Sequence, residues 1–515
     1  MSRPHFERLR DVYIPAVFVS LGISAWSVYY DDVVNPDGTL YLRTAARFVQ
    51  GEWREAFSIY PWPFYPYLIS LFSQLSGITL EYSAHCINAL FCATIVGAFV
   101  ALTKEVGGDK RVLLASALVI LFYHSLNEYR SYVIRDFGYL AFYLLGVLVF
   151  LKYYSNPRWY LALLWGTTMA VATLFRREGF VFLACLPLVL FFKCGISWRA
   201  KVRAYVIGNA VLAAGVIAAF VFTSPLEIFQ ERSESYVGSV LPILSREIPS
   251  VVSHDLPQKI EALKTSVLAD KSAGYALHIL VGSLALILFF EILKTLTPFL
   301  ALLACYGLYC RILFPLKEFM RIWIWLVLLN VLVLAVVVVA HFYLTGRFPL
   351  ALALTISLAV PFSLVKIYDS WKARRGLAWK RNWFFPVVAG IFVASAVAGL
   401  VSFSGGSKKH IKEAGLWIRE NTPRDTKVFT NDEVLSFYMD KTWQGNHSRY
   451  DWDETVRILS SGQWKACKYV ALRIKRGHPE RKQVVLESVG TEPLKSFRNA
   501  RGDQVLVFKT ETGSE

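Results

Sequence analysis

Long apolar runs separated by short polar spacers dominate the chain, and about 20 mostly apolar residues in helical form are enough to cross the hydrocarbon of a bilayer. The pattern predicts spans near 12–30, 82–103, 112–126, 137–153, 159–175, 179–193, 204–223, 294–311, 322–342, 347–366 and 384–402. A further stretch, 275–291, is apolar enough for a helix that lies on the interface or is re-entrant. Three polar segments are long: about 31–81, about 224–274, and the tail from 403. In the tail, 409–420 has helical periodicity, 427–430 and 468–472 read as strands, and 453–459 reads as a helix. Residues 495–509 read as a hairpin turning at Asn499–Asp503. The expected fold is a polytopic α-helical membrane domain, 1–402, followed by a small C-terminal extracytoplasmic α/β domain, 403–515.

Composition agrees. Of 515 residues, 55% are hydrophobic and 18% charged, more apolar and less charged than a typical soluble domain. That argues against a soluble enzyme, a disordered chain and a disulfide scaffold. The net charge of +17 would suggest nucleic acid in a soluble protein. Here the basic residues sit in spacers between spans, as positive-inside orientation requires. Lys193–Arg203, Arg311–Arg321 and Lys366–Arg381 all fall on one side, which places the N-terminus inside and the tail outside. The first apolar run is too long for a signal peptide and lacks a cleavage site, so it reads as an uncleaved span. The seven cysteines form no CxxC and no Cys/His group with metal spacing. The sequence therefore requires no cofactor, with a divalent metal left open.

The informative charges stand at the outer ends of spans: Arg130, Arg135 and Asp136, then Arg176, Arg177 and Glu178, then Arg347. One such arginine can simply snorkel to head groups. Several at one membrane level suggest a bound anion, because guanidinium pairs with phosphate through bidentate, charge-assisted hydrogen bonds. Lipid phosphate lies at that level, and ionisable groups near membrane depth are functional candidates. Asp37 stands near the same level, although Asn35-Pro36-Asp37-Gly38 also has plain turn chemistry. Asp31 and Asp32 read as solvated or capping residues, and Glu128 and Asp136 as partners of nearby arginines. A carboxylate beside such a cluster suits one chemistry well: it removes an acceptor's proton while the cations stabilise a departing phosphate. In the tail, Lys408, Lys409 and Lys412 offer a basic surface to anionic lipid.

Asp37-Gly-Thr-Leu-Tyr41, then Gly51-Glu-Trp53, then Tyr60-Pro-Trp-Pro-Phe-Tyr-Pro66 resemble the first outer loop of polyprenyl-phosphate-sugar-dependent glycosyltransferases of the GT-C class. The branch most resembled is the protein O-mannosyltransferase-like one (glycosyltransferase family 39-like), which includes the lipid A aminoarabinose transferases. That branch often has Asp-Glu followed by an aromatic residue here; Asp37 and Tyr41 match, but Gly38 replaces the second acid. Arg135-Asp136, Leu174-Phe-Arg-Arg-Glu-Gly179 and Gly346-Arg347-Phe348 resemble later motifs of the family, with Phe348 in place of a tyrosine. The tail resembles the family's extracytoplasmic domain.

The resemblance implies a GT-C fold of about 11–13 transmembrane helices and a donor consisting of a monosaccharide on polyprenyl (undecaprenyl) phosphate. Asp37 would act as general base and Arg135, Arg176, Arg177, Arg347 and Arg130 would hold the phosphate. Tyr41, Trp62 and Tyr65 are candidate sugar walls or interfacial belt residues. Glu128, Asp136 and Glu178 are candidates for sugar or acceptor contacts. His124 and His341 read as packing residues. The acceptor would be a glycolipid, glycan or protein, with membrane lipid as the other partner and no nucleic acid. A multi-pass protein of the bacterial inner membrane, with a cytoplasmic N-terminus and periplasmic tail, fits best. Competing readings are an O-antigen ligase or polymerase, which would use the long 224–274 segment, a transporter, or a receptor. A transporter would place charges near the bilayer midplane and repeat its halves; here charges gather at one interface and no halves repeat.

Overall fold

The computed structural model describes residues 4–215, 254–310, 317–373, 386–391, 393–394, 408–440 and 451–510. Helices α1 (Pro4–Tyr30), α5 (Leu80–Glu105), α6 (Lys110–Leu121), α8 (Asp136–Ser155) and α9 (Trp159–Phe175) form the densest packing. Between α1 and α5, the first polar loop folds into α2 (Pro36–Val49), α3 (Trp53–Ile59) and α4 (Phe64–Ser76). The short α7 (His124–Asn127) precedes α8; after α9 come the turn residues Arg176–Glu178 and then α10 (Gly179–Cys185), which tightens into a 3-10 turn to Phe192. The second half contains α11 (Trp198–Gly208), α12 (Leu256–Ser266), α13 (Ala276–Leu296), α14 (Pro298–Tyr309), α15 (Lys317–His341), α16 (Leu350–Ser357) and α17 (Val360–Ala373). Among the described residues, six stretches are long and apolar enough to cross a membrane: Asp11–Tyr30, Leu80–Glu105, Asp136–Ser155, Asp270–Leu296, Glu318–His341 and Leu350–Ala373. Trp159–Phe175, Gly179–Phe192 and Pro298–Tyr309 are shorter apolar helices.

Close backbone approach holds the first half together. The Phe175 ring lies where a Cβ on Gly138 would stand, so α9 packs directly on the α8 backbone. Phe64, Phe91 and Phe142 surround the same ring at 5.0, 5.2 and 5.8 Å between centroids. Contacts at the two ends of the bundle separate cleanly. At one end, Arg321 donates to the Phe192 carbonyl (3.0 Å) and Arg111 pairs with Asp369 (2.5 Å). At the other, Tyr123 and Ser125 donate to the Thr295 carbonyl (2.6 and 2.7 Å), and the Thr295 hydroxyl donates to the Gly346 carbonyl (3.2 Å). The functional candidates lie at this second end.

Three expected apolar stretches shift. The span expected at 294–311 begins at Pro298, because Thr297 takes a left-handed φ of 65° and caps the new helix through its side chain, while Pro298 cannot donate to a preceding turn. The stretch expected as 275–291 instead runs unbroken to Leu296 and is largely exposed along its length. The span expected to reach 126 ends at Leu121; Tyr123 starts the separate turn His124–Asn127. Most of 384–402, the boundary at 402/403, the end of 204–223 and much of 224–274 lie outside the described residues.

The tail is a three-layer unit. Its sheet has the order β1 (Val428–Thr430), β2 (Tyr469–Ile474), β4 (Gln504–Lys509), β3 (Lys495–Arg498), with β1 and β2 parallel and the other pairs antiparallel. Period-two alternation sorts its side chains between two faces. Val470, Leu472, Leu506 and Phe508 face a cluster that holds Leu459 of α20 (Trp452–Ser461) and Val485 of α21 (Glu480–Val489). Ala471, Val505 and Val507 face α18 (Lys409–Asn421) and α19 (Glu433–Met439), and through them the membrane domain. The expected strands, hairpin and two helices are all present; α19 and α21 were not anticipated as elements.

Candidate active site

The site begins where α1 hands over to α2. Pro36 supplies the helical φ at the first position of α2, and Gly38, Tyr41, Leu42, Ala45 and Phe48 form its buried stripe. Asn35 Oδ1 accepts from the Val133 amide (2.7 Å), pinning the start of α2 to the 131–135 connection. A Cβ on Gly38 would lie 2.8 Å from Val34 Cγ1 and 2.9 Å from Val133 Cβ. There is no room for the acid that the family pattern carries at this position, so the glycine is a packing requirement. Asp37, one residue earlier, is half-exposed and receives Arg347 Nη1 at 2.6 Å.

Arg347 lies at the start of the segment leading into α16, and its Nη1 is also 3.9 Å from Asp136. Asp136, at the first turn of α8, pairs closely with Arg176 through its other oxygen. Arg176 also meets Glu178, Nη2 to Oε1 at 2.5 Å and Nε to Oε2 at 3.3 Å. Its guanidinium is sandwiched by the rings of Phe348 (4.4 Å) and Tyr139 (5.6 Å). Burial alone would raise the Glu178 carboxyl; the Arg176 pair overrides it and holds the group down to about 2. Asp37, Arg347, Asp136, Arg176 and Glu178 thus form a continuous chain of alternating charge.

Arg135 and Arg177 differ. Arg135 lies over the Tyr60 ring at 5.7 Å and Arg177 over the Trp62 ring at 5.6 Å. Neither makes an ion pair among the described residues. They supply the spare positive charge at the site. Cation–π contact orients each guanidinium yet leaves its in-plane N–H donors available.

The structure therefore brings Asp37, Arg135, Asp136, Arg176, Arg177, Glu178 and Arg347 together, and corrects several expected roles. Arg130 is not part of the set. It is almost fully buried and donates to Asn127 Oδ1 (2.7 Å), the Ser20 carbonyl (3.0 Å) and the Ser24 hydroxyl (2.8 Å), fastening α1 to the connection before α8. A guanidinium so enclosed is not free for a lipid phosphate. Asp136 and Glu178 are each engaged by Arg176. Glu128 is exposed and makes no ion pair among the described residues, so it does not partner a nearby arginine. Tyr65 is 1% exposed, with its hydroxyl on Asn88 Oδ1 (2.9 Å) and its ring edge-on to Tyr41 (5.4 Å). It supports Tyr41 from behind. Tyr41 and Trp62 are buried too, whereas Tyr60, edge-on to Tyr41 at 5.3 Å, is half-buried and is the ring over which Arg135 lies. Its place in the Tyr60–Pro66 aromatic run was the available signal. His124 is half-buried beside α14, and His341 is exposed beside Tyr343. Among the described residues, no three His, Cys, Asp or Glu side chains gather as a metal-binding group.

The tail closes over the same loop. Tyr438 accepts from the Val34 amide (2.9 Å), Glu433 accepts from the Thr39 hydroxyl (2.9 Å), and Lys412 pairs with Asp32 (2.9 Å) and Glu81 (3.6 Å). Burial would lower the Lys412 ammonium, but Asp32 and Glu81 raise it above the usual lysine range. Lys408 lies over the Tyr132 ring at 5.2 Å. Lys412 is thus an interdomain anchor and not part of a lipid-facing basic surface. Asp32 is its partner and not a solvated cap.

No protein-family model matches the chain, and no curated protein sequence does. Solved structures do. The oligosaccharyltransferase of Archaeoglobus fulgidus, in complex with Zn and sulfate, aligns over 92% of this chain and 69% of its own at 14% identity, with a TM-score of 0.56. Its apo form aligns over 90% and 69% at 13% identity, with a TM-score of 0.51. ArnT from Cupriavidus metallidurans, bound to undecaprenyl phosphate, aligns over 98% of this chain and 99% of its own at 14% identity, with a TM-score of 0.52. At this identity the likeness establishes architecture: the chain has the GT-C fold, a multi-pass helical membrane domain carrying a small C-terminal α/β domain.

Proposed function

We propose that this protein is an integral-membrane, inverting glycosyltransferase. It moves a monosaccharide from a polyprenyl-phosphate donor, undecaprenyl phosphate in a bacterial inner membrane, to a hydroxyl of a cell-envelope glycolipid, glycan or protein. The observation that carries the reading is the half-exposed Asp37 carboxylate at the head of a charge chain flanked by two guanidiniums without carboxylate partners. A neutral substrate would have no use for that excess. The likeness to ArnT over nearly the whole of both chains supports a lipid-linked donor. In this reading the N-terminus is cytoplasmic and the tail lies on the outer face.

Arg135 and Arg177 hold the donor phosphate, and Tyr60 supports the sugar beside it. Asp37 takes the proton from the acceptor hydroxyl as that oxygen attacks the anomeric carbon. The bond from the anomeric carbon to the phosphate oxygen breaks, and its electron pair leaves on polyprenyl phosphate, where the cations stabilise the added charge. Arg347 has donors to spare beyond Asp37, so it bridges base and phosphate and fixes the distance between them. Asp136, Arg176 and Glu178 act behind this layer by holding Arg347 in place.

The test uses purified protein in lipid, offered radiolabelled undecaprenyl-phosphate sugars and candidate acceptors. Wild type should release undecaprenyl phosphate, while Asp37→Asn should lose transfer by about 10²–10⁴-fold with donor binding retained. Near wild-type turnover in Asp37→Asn removes Asp37 from the reaction.

A further inference from the structure

At the end of the bundle opposite Asp37, several cations are spent on backbone carbonyls. Lys193 Nζ donates to the Tyr154 carbonyl, Lys201 Nζ to the Phe191 carbonyl (2.9 Å) and Arg321 Nη1 to the Phe192 carbonyl (3.0 Å). These carbonyls lie in the last turns of α8 and of the 3-10 turn after α10, where a cation is favoured. Arg199 and Arg203 on α11 are different. Both are exposed, and neither makes a hydrogen bond or an ion pair among the described residues.

The other face of α11 anchors the helix. Tyr153 donates to the Ala204 carbonyl, Gly208 faces the Tyr153 ring, and Tyr205 lies on Phe191 at 5.0 Å. Arg199, Val202, Arg203 and Val206 share the outward face, at the i, i+3 and i+4 spacing of one helix stripe. With Trp198 and Ile207 they line a shallow groove of about 620 Å³. Its basic mouth lies near the start of α11, and its aliphatic floor leads into the apolar run that continues past Gly208. The sequence has no acidic residue between Glu178 and Glu227. Elsewhere at this end, Asp11, Asp109 and Asp369 pair with Lys110 and Arg111, and neither Glu105 nor Glu318 pairs with Arg199 or Arg203. Among the described residues, the groove therefore holds two positive charges and no negative one. Orientation across the membrane needs only charge in a spacer. It gives no reason for two guanidiniums one turn apart above an aliphatic stripe, beside an exposed tryptophan.

We propose that this groove binds one anionic glycerophospholipid of the leaflet at this end. Its phosphodiester lies between Arg199 and Arg203, Trp198 stands at the level of the glycerol, and an acyl chain runs along Val202, Val206 and Ile207. Residues four apart on a helix have Cβ atoms about 6 Å apart, so both guanidinium forks reach the free oxygens of one phosphate. Basic recesses beside spanning helices suit anionic head groups in this way. The proposal does not depend on the transferase reading, and the two stand or fall separately.

The experiment titrates the delipidated, full-length protein in detergent with palmitoyl-oleoyl phosphatidylglycerol, the matching phosphatidylcholine and glycerol 3-phosphate, read by native mass spectrometry. The expected result is one tightly held phosphatidylglycerol, with phosphatidylcholine and glycerol 3-phosphate each at least tenfold weaker. Arg199→Gln/Arg203→Gln should weaken that first phosphatidylglycerol at least tenfold while its lipid-free unfolding midpoint matches wild type; Arg199→Gln alone serves if the pair lowers the midpoint. Lys366→Gln/Lys372→Gln, which removes two exposed lysines of α17 at the same end, should leave the affinity unchanged. Equal affinity for phosphatidylcholine overturns the anion requirement, and equal affinity for glycerol 3-phosphate overturns the role of the acyl chain. Unchanged binding in the arginine variant, or an equal loss in the α17 pair, means diffuse attraction to the whole basic end and overturns the proposal.

Discussion

Arg176 and Arg177 are neighbours in the chain and differ in almost everything that matters. Arg176 turns inward, is buried, and spends its donors on Asp136 and Glu178 between the rings of Phe348 and Tyr139. Arg177 turns toward the Tyr60–Pro66 loop, lies over Trp62, and has no carboxylate partner among the described residues. The same contrast separates Arg130, tied to α1, from Arg135, stacked on Tyr60. Each short charged motif thus ties one arginine into the scaffold and leaves one without a carboxylate partner among the described residues. A buried guanidinium held by hydrogen bonds or carboxylates of the protein stabilises structure; one that is oriented but has no carboxylate within ion-pair distance is available to an anion.

The contrast can be broken most forcefully at Arg176. Arg176→Ala leaves the half-buried Glu178 without its cation and the buried Asp136 with only the more distant Arg347, and should cost about 3 kcal/mol of stability, read as a large fall in unfolding midpoint. The pH dependence sharpens the point. In wild type, Glu178 is held below its ordinary 4.5 at about 2, so its contribution is full above about pH 4.5 and is lost as pH falls toward 2. Without Arg176, burial dominates and raises Glu178, so this group's contribution then falls as pH rises through the raised value. An unchanged midpoint in Arg176→Ala would contradict its scaffold role.

At the open pair the expected effect is on binding. Arg135→Gln and Arg177→Gln should each weaken the polyprenyl-phosphate donor about tenfold or more while moving the unfolding midpoint little, because each removes a charge-assisted contact and no internal pair. If they unfold the protein as Arg176→Ala does, the distinction between the two classes fails. Next comes Gly38→Ala, which forces a methyl group against Val34 and Val133 and should cost about 1–3 kcal/mol. It should also reduce transfer by moving Asp37, with donor affinity retained. The smallest effect belongs to the tail: Lys412→Met breaks half-buried pairs with Asp32 and Glu81, worth about 1 kcal/mol or less. Limited proteolysis should then release the tail faster while the membrane domain's melting is unchanged.

The membrane domain and the tail were readable to different depths. Spans such as 82–103 and 159–175 sit within a residue or two of their helices because a bilayer-length apolar run has few other solutions. The tail's hairpin was readable because Asn499 and Gly502 carry turn chemistry between alternating strands, and Gly502 adopts a φ of 99°. The break at Thr297 was hidden inside a continuous apolar stretch, where hydropathy is blind to backbone direction. Among site residues, Asp37, Arg135, Arg177 and Arg347 could be named from their level along the spans. Which of them is free could not, since it depends on partners 40 to 310 residues distant, as Asp136 to Arg176 and Asp37 to Arg347 show. Tyr65 and Tyr60 make the same point: a run of aromatics announces a wall without saying which ring is buried and which meets a guanidinium.

By itself, the sequence determined that the chain crosses a membrane several times, that its charges gather at one end, and that a small α/β unit follows. These are consequences of composition and period, which act locally along the chain. Only the tertiary structure decided which arginines are neutralised, why Gly38 cannot be an acid, and that Lys412 anchors the tail over α2. Pairing, burial and close approach are properties of residues brought together from distant segments, and an ion's role depends on what lies within a few ångström of it.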